Sequence, residues 1–119
     1  PTKQRIKICE VLFETEKTFH FTINDLTKKI HSKTDKKISV ATVYNTVHAF
    51  EKKGYLKQIP INSSQTYFDT NITDHHHFYD VKGEKLIDLD NKDVGPITIQ
   101  KSIPGKKIKS VEVLVKLED

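Results

Sequence analysis

The sequence predicts an α+β protein in two parts, a helical N-terminal part that ends in a β-hairpin and a smaller C-terminal part with a three-stranded sheet. Three observations favour this class. Apolar residues recur at helical spacing through residues 3–52. Two strand-like runs flank a polar turn at residues 62–64, and further strand-like runs recur between residues 77 and 117.

The first two helices are indicated by apolar spacing and by a start signal. The first is predicted over residues 3–16. The second begins at Thr22, which forms a capping box with Asp25 that satisfies free amides at the helix start, and it is expected to fade through the polar run at residues 32–37. The predicted buried stripes are Ile6, Cys9, Leu12 and Phe13 in the first helix and Ile23, Leu26 and Ile30 in the second.

The third helix carries signals at both ends, because Ser39 can cap its start and Gly54 supplies a stop. Its predicted buried stripe is Val40, Val43, Val47 and Phe50. The predicted outward face consists of Ala41, Thr42, Asn45, Ala49 and Lys52. These side chains are mostly small or hydrogen-bonding, whereas a helix that only needed solubility would carry more charge. The outward face is therefore expected to approach another surface closely.

A β-hairpin follows, with strands predicted at residues 55–61 and 65–69 around the turn at residues 62–64. Three helices followed by a hairpin is the order of a winged helix, in which the third helix enters the DNA major groove. Winged helices also serve as protein-interaction modules, so the order alone leaves both roles open.

The C-terminal part is expected to pair with a second copy of itself. Residues 71–74 are predicted as a hinge, which makes residues 1–70 a winged-helix DNA-binding domain and residues 75–119 a small α/β dimerisation and sensing domain. Three strands with one apolar face cannot bury that face alone, which favours a homodimer. The strands are predicted at residues 77–81, 85–89 and 108–117, with an irregular region without a long helix at residues 91–107.

Composition and charge indicate a globular protein with a polyanionic partner. Apolar residues make up 35% and charged residues 30% of the chain, and no stretch predicts a membrane span or a signal peptide, which favours the cytoplasm. Residues 1–60 carry twelve Lys and Arg against six Asp and Glu, whereas residues 61–119 carry eight against ten. The basic half is expected to face nucleic acid, although such an excess is also typical of a solvated surface.

Cys9 is the only cysteine, which excludes an intramolecular disulfide and any zinc site that needs two thiolates. Because it lies in the apolar stripe of the first helix, it is expected to be a buried, inert thiol.

A cluster of three consecutive histidines indicates a metal site. His75 and His77 flank His76 at a two-residue spacing, so on a strand their side chains point to the same side and can share one ion. Asp88 lies on the next predicted strand and Asp69 at the end of the hairpin, where both can converge on that ion. Imidazoles and carboxylates suit divalent iron, manganese or zinc, and imidazole is also an axial ligand of haem iron.

A fifth candidate ligand is His20, in the predicted loop before the second helix. If it joined the cluster, metal occupancy would set the angle between the two domains. Enzymatic zinc is the weaker interpretation, because the HExxH pattern is absent. We therefore expect no catalytic residues and no enzyme activity, and a metal-buffering protein remains the other minor alternative.

The third helix and the histidine cluster together resemble the ferric uptake regulator (Fur) superfamily. The resemblance rests on residues 39–47 (SVATVYNTV), on residues 54–56 (GYL), and on the cluster with its following aspartate, and it spans nearly the whole chain. Residues 65–71 (QTYFDTN), continuing into residues 73–77 (TDHHH), are most similar to Irr, the iron-response regulator of alphaproteobacteria.

The resemblance implies a regulatory site for Fe(II) or Mn(II), with Zn(II) able to bind in vitro. The ligands it implies are His20, Asp69, His75, His77 and Asp88. An Irr-like protein would instead sense haem, for which the candidate axial ligands are His75, His76 and His77. The structural zinc that many members hold with four cysteines is expected to be absent, because Asp80 and Gly83 stand where the first CxxC pair would be.

The resemblance also implies a homodimeric transcription regulator of iron homeostasis and haem metabolism, either Irr-like or a Fur-like repressor that depends on Fe(II) or Mn(II). Its operator is expected to be an inverted repeat whose half-sites present the major groove roughly 34 Å apart. The predicted base contacts are Thr42, Tyr44 and Asn45, and the predicted phosphate contacts are Arg5, Lys52 and Lys57.

Overall fold

Two compact units make up the chain in the computed structural model, which describes residues 2–34 and 37–119. The units are Pro1–Ile72 and Thr73–Asp119. The first holds three helices and a three-stranded sheet, and the second holds a separate three-stranded sheet. The fold class is therefore α+β, as predicted. None of the helices in the described residues is long and apolar enough to cross a membrane.

Helix α1 spans Thr2–Phe13, and its buried face differs from the predicted one. The buried residues are Ile8, Val11 and Leu12, whereas Ile6 and Phe13 are exposed and Cys9 is only half-buried. The predictions of a stripe through Ile6 and of a buried thiol were therefore wrong. Apolar residues cover more than half of the circumference of α1, so their spacing allows two faces and only the packing partner selects one.

Helix α2 spans Ile23–Lys33 and begins as predicted. The Oγ1 atom of Thr22 accepts a hydrogen bond from the amide of Asp25 at 3.1 Å, which satisfies one of the free N–H groups at the helix start. Leu26 and Ile30 are buried, and Ile23 packs at the edge of the core. The predicted fading of the helix falls partly on residues 35 and 36, which lie outside the described residues.

Helix α3 spans Val40–Lys52 and begins and ends where predicted. The Oγ atom of Ser39 accepts from the amide of Thr42 at 3.1 Å. At the other end, Gly54 adopts a φ of 83° and its amide donates to the carbonyl of Glu51, while the Tyr55 amide donates to the carbonyl of Phe50. These two bonds form a Schellman motif, in which a glycine takes the left-handed conformation that side chains disfavour.

The predicted stripe of α3 is only partly correct. Val43 and Val47 are completely buried, but Val40 is 50% exposed. Thr46 takes its place in the core, because its hydroxyl donates to the carbonyl of Thr42 at 2.8 Å and so loses no hydrogen bond on burial.

The sheet of the first unit has one strand more than the predicted hairpin. Its strands are β1 (His20–Phe21), β2 (Lys57–Asn62) and β3 (Gln65–Asp69), antiparallel in the order β1-β3-β2. His20 therefore lies on a strand and not in the predicted loop. A strand of two residues is too short to show alternation, so only its pairing with β3 reveals it.

The second unit is built on β4 (His76–Asp80), β5 (Lys85–Leu89) and β6 (Leu114–Leu117). The order is β5-β4-β6, with β4 antiparallel to β5 and parallel to β6. The third strand was predicted from residue 108, but only its last four residues pair. The unit, which is described throughout, contains no α-helix, and a 3-10 turn at Asn91–Asp93 is its only helical element.

Candidate functional site

Two histidines and one aspartate converge on one face of the second sheet. His77 and Asp88 are directly paired residues of β4 and β5, and His75 immediately precedes β4. The Oδ1 atom of Asp88 lies 3.3 Å from Nε2 of His77 and 3.8 Å from Nε2 of His75. Each of the three residues offers a donor atom that lies within 4.8 Å of the other two. The side chains of His75 and His77 thus point to the same side, as their two-residue spacing predicts.

A backbone hydrogen bond orients His75. Its Nδ1 atom lies 2.7 Å from the carbonyl oxygen of Thr73, which can only accept, so Nδ1 carries the proton. In the neutral ring the lone pair is then on Nε2, the atom that faces Asp88. Histidines that bind metals in proteins commonly donate their other ring N–H to a carbonyl in this way.

The donor set fits a transition-metal ion. Two imidazole nitrogens and one carboxylate oxygen suit Fe(II), Mn(II) or Zn(II), whereas Mg(II) and Ca(II) prefer sites made of oxygen alone. Ligand atoms lie about 2 Å from such an ion, so two ligands of one ion are at most about 4.2 Å apart. Donor separations within 4.8 Å therefore close around an ion with small side-chain movements. His77 is buried and the Asp88 side chain is 64% exposed, so one side of this group is open to solvent.

His76 has a different role in the structure. It is buried, and its Nδ1 atom accepts a hydrogen bond from the amide of Val113 at 2.8 Å, which holds the segment before β6 against β4. A backbone amide can only donate, so the proton of the neutral His76 ring is on Nε2. Neither ring nitrogen then offers a free lone pair, which opposes the predicted role of His76 as a haem ligand.

His20 and Asp69 lie side by side in the first unit. They are Cα partners in the pairing of β1 with β3, and Asp69 is only 2% exposed. The amide of Asn71 donates to Oδ1 of Asp69 at 2.8 Å. The two predicted ligands of this unit are thus brought together as a pair by a strand that the sequence did not reveal.

Two hydrogen bonds maintain the alignment of His20 with Asp69. The amide of Phe19 donates to the Thr70 hydroxyl at 2.9 Å, and the Thr70 amide donates to the carbonyl of Phe19 at 3.0 Å. They join the residues that flank the His20–Asp69 pair. The His20 ring also packs edge-on against Tyr67, with ring centroids 5.9 Å apart.

The predicted DNA contacts lie on α1, α3 and β2. Tyr44 and Asn45 are exposed, whereas Thr42 is half-buried and its hydroxyl accepts from Ser39 at 3.0 Å. Arg5 and Lys52 are exposed and Lys57 is half-buried. The outward face of α3 is therefore rotated from the predicted one, because Thr42 and Ala49 turn partly inward. It consists of Val40, Ala41, Tyr44, Asn45 and Lys52.

His48 was not among the predicted site residues. Its ring lies between two aromatic rings, with centroids 4.2 Å from Tyr44 and 5.3 Å from Phe68. The spacing of Tyr44 and His48, four residues apart on one helix, is the signal that indicates such a pair. The contact with Phe68 depends on how β3 packs against α3.

Comparisons with known proteins agree with these features. The ferric uptake regulator family model matches residues 1–117. The chain is 32% identical over 88 residues to the peroxide operon regulator of Bacillus subtilis, covering 74% of this chain and 59% of that protein. It is 30% identical over 94 residues to the ferric uptake regulation protein of Rhizobium leguminosarum, covering 78% and 64%. The matches therefore span about three fifths of the lengths of these curated relatives.

A solved structure supports the fold. The ferric uptake regulator from Francisella tularensis, determined with iron, superposes with a TM-score of 0.74 at 15% sequence identity. The match covers 100% of this chain and 90% of that one. Since the family model covers almost every residue of the chain, this protein belongs to the ferric uptake regulator family.

Proposed function

We propose that this chain is a transcription regulator that binds DNA in response to a divalent metal ion, within iron homeostasis. The observation that carries the proposal is the convergence of His75, His77 and Asp88, whose donor atoms lie within 4.8 Å of one another. Their chemistry suits Fe(II) or Mn(II), with Zn(II) as a further ion that the same donors accept. We also propose that the protein acts in the cytoplasm, where it has access to promoter DNA.

The metal-binding residues have distinct tasks. The His75 and His77 imidazoles and the Asp88 carboxylate hold the ion, and the Thr73 carbonyl keeps the lone pair of His75 on Nε2. When bound, the ion would supply positive charge that attracts these three side chains to one point. We also include His20 and Asp69 among the proposed ligands. The family resemblance implies both residues, and they occupy paired positions on β1 and β3.

The DNA-binding residues lie on the first unit. We propose that α3 enters the major groove with Tyr44 and Asn45 at base edges, with Thr42 near the helix start. Arg5, Lys52 and Lys57 contact phosphates, which position the protein but carry no sequence information. Two copies of the chain bind an inverted repeat as a homodimer, since a two-fold protein matches a two-fold operator.

Haem is the competing effector, and it corresponds to Irr-like regulation. His75 and His77 remain candidate axial ligands, whereas His76 uses Nδ1 to accept from the backbone. The geometry favours the metal ion, because the His75 and His77 rings lie side by side with centroids 4.4 Å apart, so they cannot bind one haem iron from its two opposite faces without moving apart.

The test is a titration of metal-free protein on an inverted-repeat iron-responsive operator with no effector, with Mn(II) and with haem, at fixed salt. Tighter binding with Mn(II) and no response to haem supports the proposal, and loss of binding with haem establishes the Irr-like alternative. A protein that binds Mn(II) but no operator is a metal-buffering protein. The double variant with His75→Ala and His77→Ala should lose the Mn(II) response, whereas Asp93→Asn, which removes an exposed carboxylate of the same unit, should retain it.

A further inference from the structure

We propose that His48 is a positioning residue for DNA recognition. Its imidazole holds the exposed Tyr44 ring in the orientation in which that ring contacts a base edge. The inference rests on the proposed DNA-binding function and adds to it a residue that determines specificity without touching DNA itself.

The geometry places His48 directly behind Tyr44. The two ring centroids are 4.2 Å apart with an interplanar angle of 46°, which is contact distance for two rings. Tyr44 is 50% exposed, so solvent borders much of its ring. The helix backbone allows such a side chain more than one rotamer, and contact with the imidazole favours the rotamer seen here.

His48 in turn packs against a residue of the buried core. Its ring meets Phe68 edge-on, at 5.3 Å and 83°. Phe68 is 1% exposed and stacks with Phe21 at a centroid distance of 6.0 Å. The exposed Tyr44 ring thus packs against the half-buried His48 ring, which packs against the buried Phe68. We expect this chain of contacts to restrict the motion of Tyr44 on the surface of α3.

Pre-orientation of Tyr44 has a consequence for binding. A side chain that is free in solution loses conformational entropy when DNA fixes it, and that loss weakens binding. A tyrosine already held against His48 loses less, and it meets one base edge rather than several. Both affinity and discrimination between bases are then expected to depend on position 48.

The experiment is a double-mutant cycle between His48→Ala and Tyr44→Ala, measured with the Mn(II)-loaded full chain. The duplex is selected by the wild-type protein from randomised sequences, and each position of one half-site is then substituted in turn. From the usual strength of an aromatic pair, His48→Ala is expected to weaken binding about 2- to 10-fold. The variant should also lose discrimination between bases, at the same positions of the half-site at which Tyr44→Ala loses it.

The cycle separates positioning from a general structural effect. If His48 acts through Tyr44, the double variant binds no more weakly than Tyr44→Ala alone, and His48→Phe, which retains a ring, recovers most of the affinity. If the two losses multiply, or if His48→Ala weakens all sequences equally, the inference is overturned. Tyr55→Ala removes another exposed tyrosine, which packs on Phe50 of α3, and should not show coupling to His48.

A measurement without DNA distinguishes failure of this inference from failure of the proposed function. NMR side-chain couplings report whether the Tyr44 ring occupies one χ1 rotamer in the free protein, and His48→Ala should convert that rotamer to an average. If selection enriches no sequence, the proposed DNA binding fails, but the couplings still decide the role of His48. An averaged Tyr44 ring in the wild-type protein overturns the inference whatever the DNA result.

Discussion

The Nε2 atom of His77 lies 3.3 Å from the Oδ1 atom of Asp88, across directly paired positions of β4 and β5. Strand pairing therefore places a buried imidazole and a solvent-facing carboxylate on the same side of the sheet. The second imidazole, from His75, reaches the same oxygen at 3.8 Å from the residue just before the strand. A site formed in this way depends on register, because a slip of one residue would send His77 and Asp88 to opposite faces.

Replacing the Asp88 carboxylate should lower metal affinity and have little effect on the stability of the fold. We expect Asp88→Asn to lower Mn(II) affinity by at least about tenfold, since the amide keeps the shape of the side chain but lacks its negative charge. Isothermal titration with Mn(II) measures the change. Asp93→Asn serves as the matched control and should bind Mn(II) like the wild-type protein; equal affinity in both variants would remove Asp88 from the site.

Substitution of His76 should lower stability without changing metal affinity. His76→Ala leaves the Val113 amide without its acceptor, at a cost of about 1–3 kcal/mol in the free energy of unfolding. His76→Asn can place an amide oxygen near the position of Nδ1, and it should recover part of that loss. Urea unfolding monitors stability, and haem absorbance monitors ligation. A large loss of haem binding with unchanged stability would restore His76 as a ligand.

The glycine that ends α3 should resist replacement for a backbone reason. Gly54 has a φ of 83°, and a Cβ atom added there meets nothing within 4 Å among the described residues, so the cost is conformational rather than steric. We expect Gly54→Ala to reduce the free energy of unfolding by about 1–2 kcal/mol. Gly95→Ala is the control, because the space around Gly95 is also open and its φ is not in the left-handed region. Thermal unfolding of the two variants tests the difference, which disappears if the Schellman motif is unimportant.

Phosphate and base contacts should respond differently to salt. Lys52→Ala should weaken binding to all duplexes by a similar factor, and the slope of log Kd against log salt should fall by about 1 for each phosphate that the protein no longer neutralises. Tyr44→Ala should instead leave the salt dependence unchanged and relax the choice of base. Fluorescence anisotropy at several salt concentrations measures both. A Lys52→Ala variant with an unaltered salt dependence would place this lysine away from the DNA.

Several features of the fold and site follow from interactions within a few residues, and these were predicted. Thr22 and Ser39 cap helices with their own hydroxyls, and Gly54 ends α3 through its own backbone conformation. The spacing of His75 and His77 is likewise a local property that survives wherever the strand lies. Such signals are complete in the sequence because both partners of each interaction are close along the chain.

Other features depend on residues distant in the chain, and only the tertiary structure decided them. The face of α1 that contains Ile8 is buried because that face meets the other helices, and apolar spacing alone permitted another. Strand β1 exists only because β3 pairs with it, and this pairing sets His20 beside Asp69. His76 gives up its lone pair to Val113, 37 positions away. The sequence by itself determined where α2 and α3 begin and which side chains have metal-binding chemistry. Packing decided the extent of the other elements and the direction in which each side chain points, because those choices depend on partners that the local chain does not contain.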